Sequence, residues 1–120
     1  MIDTNVIIYS TQDKLKLHDF LNVEDSLYIS SITYIEALGI PFQDKREESK
    51  IIEICKKFER LFLTEEVEKQ TILIRKSRKI KLPDAIIAAT AIVHNLTLVT
   101  RNSDDFKNVP KLKMLNPFDN

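Results

Sequence analysis

Acidic residues from four distant parts of the chain are the residues whose types and positions suggest chemistry. Asp3, Glu36, Asp84 and the pair Asp104–Asp105 each lie at a predicted strand end or helix start. Like charges a few ångströms apart cannot all stay ionised unless a cation holds them together. Because oxygen ligands without His or Cys favour magnesium or manganese, the pattern predicts Mg²⁺, or Mn²⁺, as the cofactor.

Each acid also has a purely structural interpretation. Glu36 stands three residues after Thr33, which is the spacing of a capping box at a helix start. Asp84 would interact favourably with the dipole of the helix that it opens, and the pair Asp104–Asp105 is typical of a turn. Asp3 is the hardest to explain structurally, since an acid inside an apolar run is costly to bury without a partner.

Short apolar runs alternate with longer segments of helical period, and these elements must position the acids. The sequence predicts strands at residues 2–8, 26–30, 61–63, 96–100 and 112–115. It predicts helices at residues 47–60, 65–79 and 84–94. Strands separated by helices favour an α/β fold with a parallel sheet, in which ligands bind at the carboxyl ends of the strands.

Individual residues refine the expected helix ends. Pro83 is expected as the first residue of the helix that carries Asp84, and Asn95 as its left-handed stop. Glu36 is expected in the first turn of a further helix, entered through Ser30. Every acid would then lie beside the edge of the sheet where strands end.

Composition favours a single soluble domain, residues 1–120, with 43% hydrophobic and 30% charged residues. One glycine, Gly39, excludes the glycine-rich phosphate loops, which need at least two glycines. One cysteine, Cys55, and two separated histidines, His18 and His94, lack the spacing of a zinc site. We find no signal peptide or membrane span and expect a cytoplasmic protein.

Four segments resemble the acidic motifs of PIN domains, and above all those of VapC-type toxins of toxin–antitoxin pairs. They are Asp3-Thr-Asn-Val-Ile-Ile, Ser-Ser-Ile-Thr-Tyr-Ile-Glu36, Lys81-Leu-Pro-Asp84-Ala-Ile-Ile-Ala-Ala-Thr-Ala and Leu98-Val-Thr-Arg-Asn102-Ser-Asp-Asp105-Phe. The resemblance extends from residue 1 to about residue 115. It implies a five-stranded parallel sheet flanked by helices, and magnesium-dependent endonucleolytic cleavage of RNA.

The resemblance also implies roles for the acids. Asp3, Glu36 and Asp84 match the first three acids of the motifs, and Asp105, directly before Phe106, matches the last. All four are expected to be catalytic. Asp3, Asp84 and Asp105 would ligate the metal, one ion or two, and Glu36 would position or deprotonate the attacking water.

Two amides and one further acid belong to the same motifs. Asn5 and Asn102 are expected to orient the ligands. Asp104 has no fixed counterpart in the family, so its role stays open, with a turn favoured. Only Met1 and Ile2 precede the first acid, fewer than is usual in the family, and a natural start further upstream stays open too.

A run of basic residues is the best candidate for contacting RNA phosphates, because the chain as a whole has no net charge. No acid interrupts the run between residues 69 and 81, and the expected RNA-binding residues are Arg75, Lys76, Arg78, Lys79 and Lys81. A solvated helix face is the structural alternative. The resemblance further implies a homodimer and a small antitoxin, for which the sequence offers the apolar residues Ile51, Ile52, Phe58 and Phe62 as core or interface.

Two other functions compete with metal-dependent cleavage. A degenerate PIN fold could bind RNA or protein without cutting, but this chain retains every acid of the motifs. A phosphatase or phospho-acceptor domain would need a second Asp where Asn5 stands. A phospho-acceptor would also need an Asp near Leu63 and Thr64, at the end of the middle strand.

Overall fold

The computed structural model of the protein describes residues 1–12 and 27–118. Along them lie α1 (Thr4–Thr11), β1 (Tyr28–Ser30), α2 (Ser31–Leu38), α3 (Lys45–Cys55), β2 (Glu59–Leu61), α4 (Glu65–Ser77), α5 (Leu82–Val93), β3 (Thr97–Val99), a 3₁₀ helix (Ser103–Phe106) and β4 (Lys113–Leu115). The alternation of helices and strands confirms the α/β class.

The strands form two parallel pairs, which the first residues of the chain connect. β1 pairs with β2, and β3 pairs with β4. Between the pairs, the Ile2 amide donates to the Tyr28 carbonyl and the Asp3 amide to the Val99 carbonyl, both at 2.9 Å. Ile2 forms an isolated parallel bridge with Val99. The described residues thus contain two two-stranded sheets joined at Ile2, and the expected five-stranded sheet is not confirmed.

The predicted strand at residues 2–8 is wrong, because the chain turns into α1 directly after Asp3. The Asp3 carboxylate caps this helix, with Oδ1 accepting from the first helical amide at 2.7 Å. Val6 and Ile7 are fully buried in it. A short run of Val and Ile has the same apolar content in a buried helix as in a buried strand, so the pattern alone does not separate them.

The other elements follow the sequence more closely. β1, β3 and β4 lie within their predicted ranges, although residue 26 falls outside the described part, and β2 begins two residues earlier than predicted. α3 ends at Cys55 instead of residue 60. α5 begins at Leu82, so that Pro83 is its second residue, and Asn95 has a φ of 54°, as expected for a left-handed stop.

Two clusters of buried side chains form the core of the part of the chain that the structure describes. The first surrounds α5, whose residues from Ala85 to Ala91 are all buried and against which α4 packs. The second joins α1, α2 and α3 and includes Ile51 and Phe58. Four apolar residues were expected to belong to the core or to an interface. Ile51 and Phe58 belong to the core, Ile52 is half-buried, and Phe62 is 63% exposed. None of the described helices is long and apolar enough to cross a membrane.

Candidate functional site

Asp3 is held in place at both carboxylate oxygens and is only 6% exposed. Oδ1 accepts the hydrogen bond from the Thr4 amide, and Oδ2 accepts one from the Thr100 hydroxyl at 2.8 Å. Thr100 in turn accepts from the amide of Asn102 at 3.0 Å. Burial raises the pKa of Asp3 above its ordinary value despite these donors, and the charges of Glu36 and Asp105 act in the same direction.

Glu36 lies in α2 beyond the first turn, so its predicted position and its capping box are wrong. The cap is Ser30, whose hydroxyl oxygen accepts from the Thr33 amide at 3.1 Å. Because α2 starts directly after β1, the residue three positions after the cap is Thr33 and not Glu36. The Glu36 carboxylate instead accepts a hydrogen bond from the Thr4 hydroxyl at 2.8 Å, which ties α2 to α1.

Asp84 is the third residue of α5 and is half-buried. Burial is the main reason why its pKa rises to about 6, and the neighbouring charges of Asp3, Asp105 and Glu36 raise it further. Lys81 acts in the opposite direction. The dependence on three other acids shows that the four carboxylates share one electrostatic environment.

Asp105 lies in the 3₁₀ helix that follows β3. Phe106 anchors this helix, since its side chain is 1% exposed, and the Asp105 amide donates to the Asn102 carbonyl at 3.0 Å. Asp104 and Asp105 are therefore both in a short helical turn, in agreement with the turn interpretation of their residue types.

One cavity of about 220 Å³ brings the four acids together. We call it the acid cavity, and its lining residues are Asp3, Thr4, Asn5, Glu36, Lys81, Pro83, Asp84, Asn102 and Asp105. Every residue predicted to be catalytic, a metal ligand or a ligand-orienting amide lines it. Asp104 does not.

A second cavity, of about 510 Å³, adjoins the first and carries basic side chains. Its lining residues are Arg75, Lys79, Ile80, Lys81, Asp84, Asp104 and Asp105, and we call it the basic cavity. Three of the five predicted RNA-binding residues line it. Lys76 does not, and neither does Arg78, whose Nε is buried without a hydrogen-bond partner among the described residues.

Comparison with known proteins assigns the chain to a family. The model of the PIN domain matches residues 1–112. The chain belongs to the PIN-domain family. Ribonuclease VapC2 of Rickettsia felis is 30% identical, with 97% of this chain and 96% of that protein covered.

Solved structures of similar proteins include complexes with partners. VapBC2 from Rickettsia felis, bound to a DNA fragment from their promoter, has a TM-score of 0.82 and 25% identity, with 97% of this chain and 96% of that chain covered. A toxin–antitoxin complex from Klebsiella pneumoniae has a TM-score of 0.78 and 28% identity, with 99% and 98% covered. This PIN domain is thus similar over nearly its whole length to chains from such complexes.

The acid cavity of this PIN domain fits a hard divalent cation in the chemistry of its donors, which are carboxylate and amide oxygens. The side chains are not arranged around a single ion, however. Among the residues that the structure describes, no group of three or more Asp, Glu, His or Cys side chains is placed to hold one. Repulsion between like charges opposes a closer approach of the carboxylates. A cation would remove that repulsion.

Two threonines of the site are absent from the sequence prediction. Thr4 and Thr100 donate to Glu36 and Asp3 at 2.8 Å, and both are buried. The signals were a hydroxyl residue directly after the first acid and another at the predicted end of a strand, two residues before Asn102. Such hydroxyls recur at helix starts and strand ends in many proteins, so type and position alone did not mark them.

Proposed function

We propose that the protein is a divalent-metal-dependent endoribonuclease that hydrolyses phosphodiester bonds of RNA, and that it is the toxin of a toxin–antitoxin pair. The observation that carries the proposal is the acid cavity, in which Asp3, Glu36, Asp84 and Asp105 meet. The adjoining basic cavity supports an anionic polymer as substrate. The similarity to a protein named Ribonuclease VapC2 supports RNA.

The resemblance to the family's motifs suggests a role for each acid. Asp3, Asp84 and Asp105 would hold Mg²⁺ or Mn²⁺, with Asn5 and Asn102 orienting them. Such an ion, when bound, supplies an activated water and neutralises charge that develops on the phosphate.

The remaining groups act on water and phosphate. Glu36 accepts a hydrogen bond from Thr4 at one carboxylate oxygen, which fixes its orientation and suits it to position or deprotonate the attacking water. Lys81 borders both the acid cavity and the basic cavity, so its ammonium group can neutralise a phosphate that spans them. Arg75 and Lys79 would hold the neighbouring phosphates.

We infer three further features of the assembly. The hydrogen bonds of residues 1–3 to β1 and β3 support a single five-stranded parallel sheet that includes both strand pairs. The toxin–antitoxin complex among the similar structures supports a small antitoxin as partner. Exposed Ile35, Ile72 and Leu73, each more than half exposed, provide apolar surface for a homodimer in the cytoplasm.

Cleavage of purified RNA by the purified chain tests the activity. We expect total RNA to be cut with magnesium or manganese and not with EDTA, and the Asp84→Asn variant to lose cleavage by at least about a hundredfold, because one ligand charge is removed. The control is Glu53→Gln, which neutralises an exposed acid outside the acid cavity.

Two results would contradict the proposal. Undiminished cutting in EDTA, or by Asp84→Asn, would exclude the metal mechanism. RNA binding without cleavage under any divalent ion would favour a non-cleaving RNA-binding module on the same fold.

A further inference from the structure

An arginine and two aromatic rings form an exposed cluster next to the acidic motif. The guanidinium carbon of Arg101 lies 4.6 Å from the ring centroid of Tyr9 and 5.2 Å from that of Phe118. The two rings meet edge to face with 5.6 Å between their centroids. Arg101 also donates a hydrogen bond to the Tyr9 hydroxyl. We call these three residues the aromatic–arginine cluster.

The cluster is accessible and held from behind. Arg101 is exposed and Phe118 is 37% exposed, so a planar ligand can reach both. The Asn116 side chain donates to the Arg101 carbonyl at 3.1 Å and accepts from the Phe118 amide at 2.9 Å. One amide thus fixes the segment that carries Phe118 against the segment that carries Arg101.

A polar cavity of about 500 Å³ connects the cluster with the acid cavity. Its lining residues are Arg101, Asn102, Ser103, Asp104, Asp105 and Asn116. Asn102 and Asp105 line the acid cavity as well. A chain whose phosphate lies in the acid cavity can therefore extend along the polar cavity to the cluster.

The chemistry of this path selects the part of a nucleotide that enters it. Asp104 and Asp105 line both cavities, but the basic cavity carries three basic side chains against its three acids, whereas the polar cavity carries only Arg101 against two. The polar cavity therefore attracts a phosphate less, and its amide and hydroxyl groups can hydrogen-bond the edge of a base. Aromatic rings and arginine planes stack on nucleobases of any sequence. The polar cavity is therefore suited to a base, and the basic cavity to phosphates.

We propose that the aromatic–arginine cluster stacks an unpaired nucleobase of the RNA substrate, one or a few nucleotides from the bond that is cut. The inference rests on the proposed function and adds a base-binding position to it. It assigns Tyr9, Arg101 and Phe118 to substrate positioning and requires an unstacked base at that position, because both faces of a base inside a duplex are covered by its neighbours.

A second cluster of the same composition provides a matched control. The Arg60 guanidinium carbon lies 3.9 Å from the ring centroid of Tyr34 and 5.8 Å from that of Phe62. The cavity that these residues line shares no residue with the acid cavity. Phe62→Leu therefore removes an exposed ring from an arginine without touching the proposed RNA path.

The test combines a protein variant with removal of single bases from the RNA. Short oligoribonucleotides, each with one abasic position near the cut site, are cleaved under single-turnover conditions by wild type, Phe118→Leu and Phe62→Leu. We expect one abasic position to slow wild type by roughly five- to hundredfold, the effect of a lost base stack. Phe118→Leu should slow cleavage of intact RNA by a similar factor. The variant should cleave that abasic RNA as fast as it cleaves intact RNA. Phe62→Leu should behave as wild type.

Two outcomes would overturn the inference while the proposed function stands. One is cleavage that no abasic position slows; the other is a Phe118→Leu effect of equal size on intact and abasic RNA. Binding of the same oligonucleotides to wild type and Phe118→Leu in EDTA separates the two proposals. If one abasic position lowers the affinity of wild type but not that of the variant, the base site is supported. Absence of cleavage with every divalent ion would then overturn the proposed function alone.

Discussion

Ionisation of the Asp84 carboxyl group lowers the stability of the folded protein, because its pKa is raised in the fold. Its pKa rises from the ordinary value of 3.8 to about 6, through burial first and three acidic neighbours second. A raised folded pKa gives a stabilisation that is complete below the unfolded pKa and is lost as the pH rises through the folded pKa. The free energy of unfolding of the metal-free protein should therefore carry an Asp84 contribution that declines between about pH 4 and pH 6.

The Asp84→Asn variant isolates this contribution, because its amide does not titrate. We expect the variant to gain stability relative to wild type by on the order of 1 kcal/mol between pH 4 and pH 7, a figure reduced for solvent screening of a half-exposed group. Denaturant unfolding in EDTA at the two pH values measures it. A difference that stays constant with pH would show that neither burial nor the neighbouring acids raise the pKa of Asp84 in the folded protein.

Thr100 supplies the side-chain hydrogen bond that holds Asp3 Oδ2. Replacing it by Val removes the donor to Asp3 Oδ2 and the acceptor of the Asn102 amide in a fully buried place. We expect Thr100→Val to lower the free energy of unfolding by about 1–3 kcal/mol and to reduce cleavage, and Thr100→Ser to restore most of both.

Thr90→Val is the matched control for that substitution. The Thr90 hydroxyl is equally buried, but it donates to the Ile86 carbonyl of its own helix at 2.7 Å, and that carbonyl lies inside α5. Loss of this hydrogen bond in Thr90→Val should lower the free energy of unfolding by less than about 0.5 kcal/mol. Equal losses in the two variants, with cleavage unaffected in both, would make Thr100 an ordinary core residue.

At the scale of elements, α4 and the loop after it present basic residues on two sides, and only one side borders the basic cavity. Arg75, on α4, and Lys79, just after it, line that cavity. Lys69 and Lys76, which also lie on α4, do not. Charge reversal of each pair changes the net charge equally. The two double variants therefore separate a local phosphate contact from a general charge effect.

Arg75→Glu with Lys79→Glu should weaken RNA binding and flatten its dependence on salt. Loss of two phosphate contacts to single-stranded RNA lowers the slope of log affinity against log salt by about 1.4. Lys69→Glu with Lys76→Glu should leave the slope nearly as in wild type. Equal slopes for both double variants would mean that RNA approaches from another face.

The sequence predicted elements well where the pattern is long and the caps are distinctive. α4 and α5 follow a helical period over 12 residues or more, and Pro83 and Asn95 mark the ends of α5. α1 was missed because its short run of Val and Ile fits a strand equally well. The residue that distinguishes the two is Asp3, whose role as a helix cap became visible only with the hydrogen bond from Thr4.

The candidate site was predictable to a greater extent than the elements around it. The acids were marked by residue type and by position near strand ends, and the resemblance to PIN domains ordered them. The threonines that orient Asp3 and Glu36, and the aromatic–arginine cluster, depend on contacts between residues about 17 to 110 positions apart. Spacing in the sequence carries no information about such contacts.

At the scale of the whole molecule, the fold brings together acids that are up to 102 positions apart, and it does so through rigid neighbours. Asp3 follows the bridge at Ile2, Asp84 lies in the first turn of the buried helix α5, and Asp105 precedes the buried ring of Phe106. These anchors hold the carboxylates near one another against their mutual repulsion. The divalent ion that we propose would remove this repulsion.

The magnesium dependence of RNA cleavage, measured for two neighbouring variants, tests this account most directly. Asp105 lines the acid cavity and Asp104 does not, although both lie in the same 3₁₀ helix. At saturating RNA, Asp105→Asn should raise the magnesium concentration for half-maximal cleavage by at least about tenfold, and Asp104→Asn should leave it near the wild-type value. Cleavage that needs no divalent ion, or the same half-maximal concentration in all three proteins, would contradict a metal site built from these carboxylates.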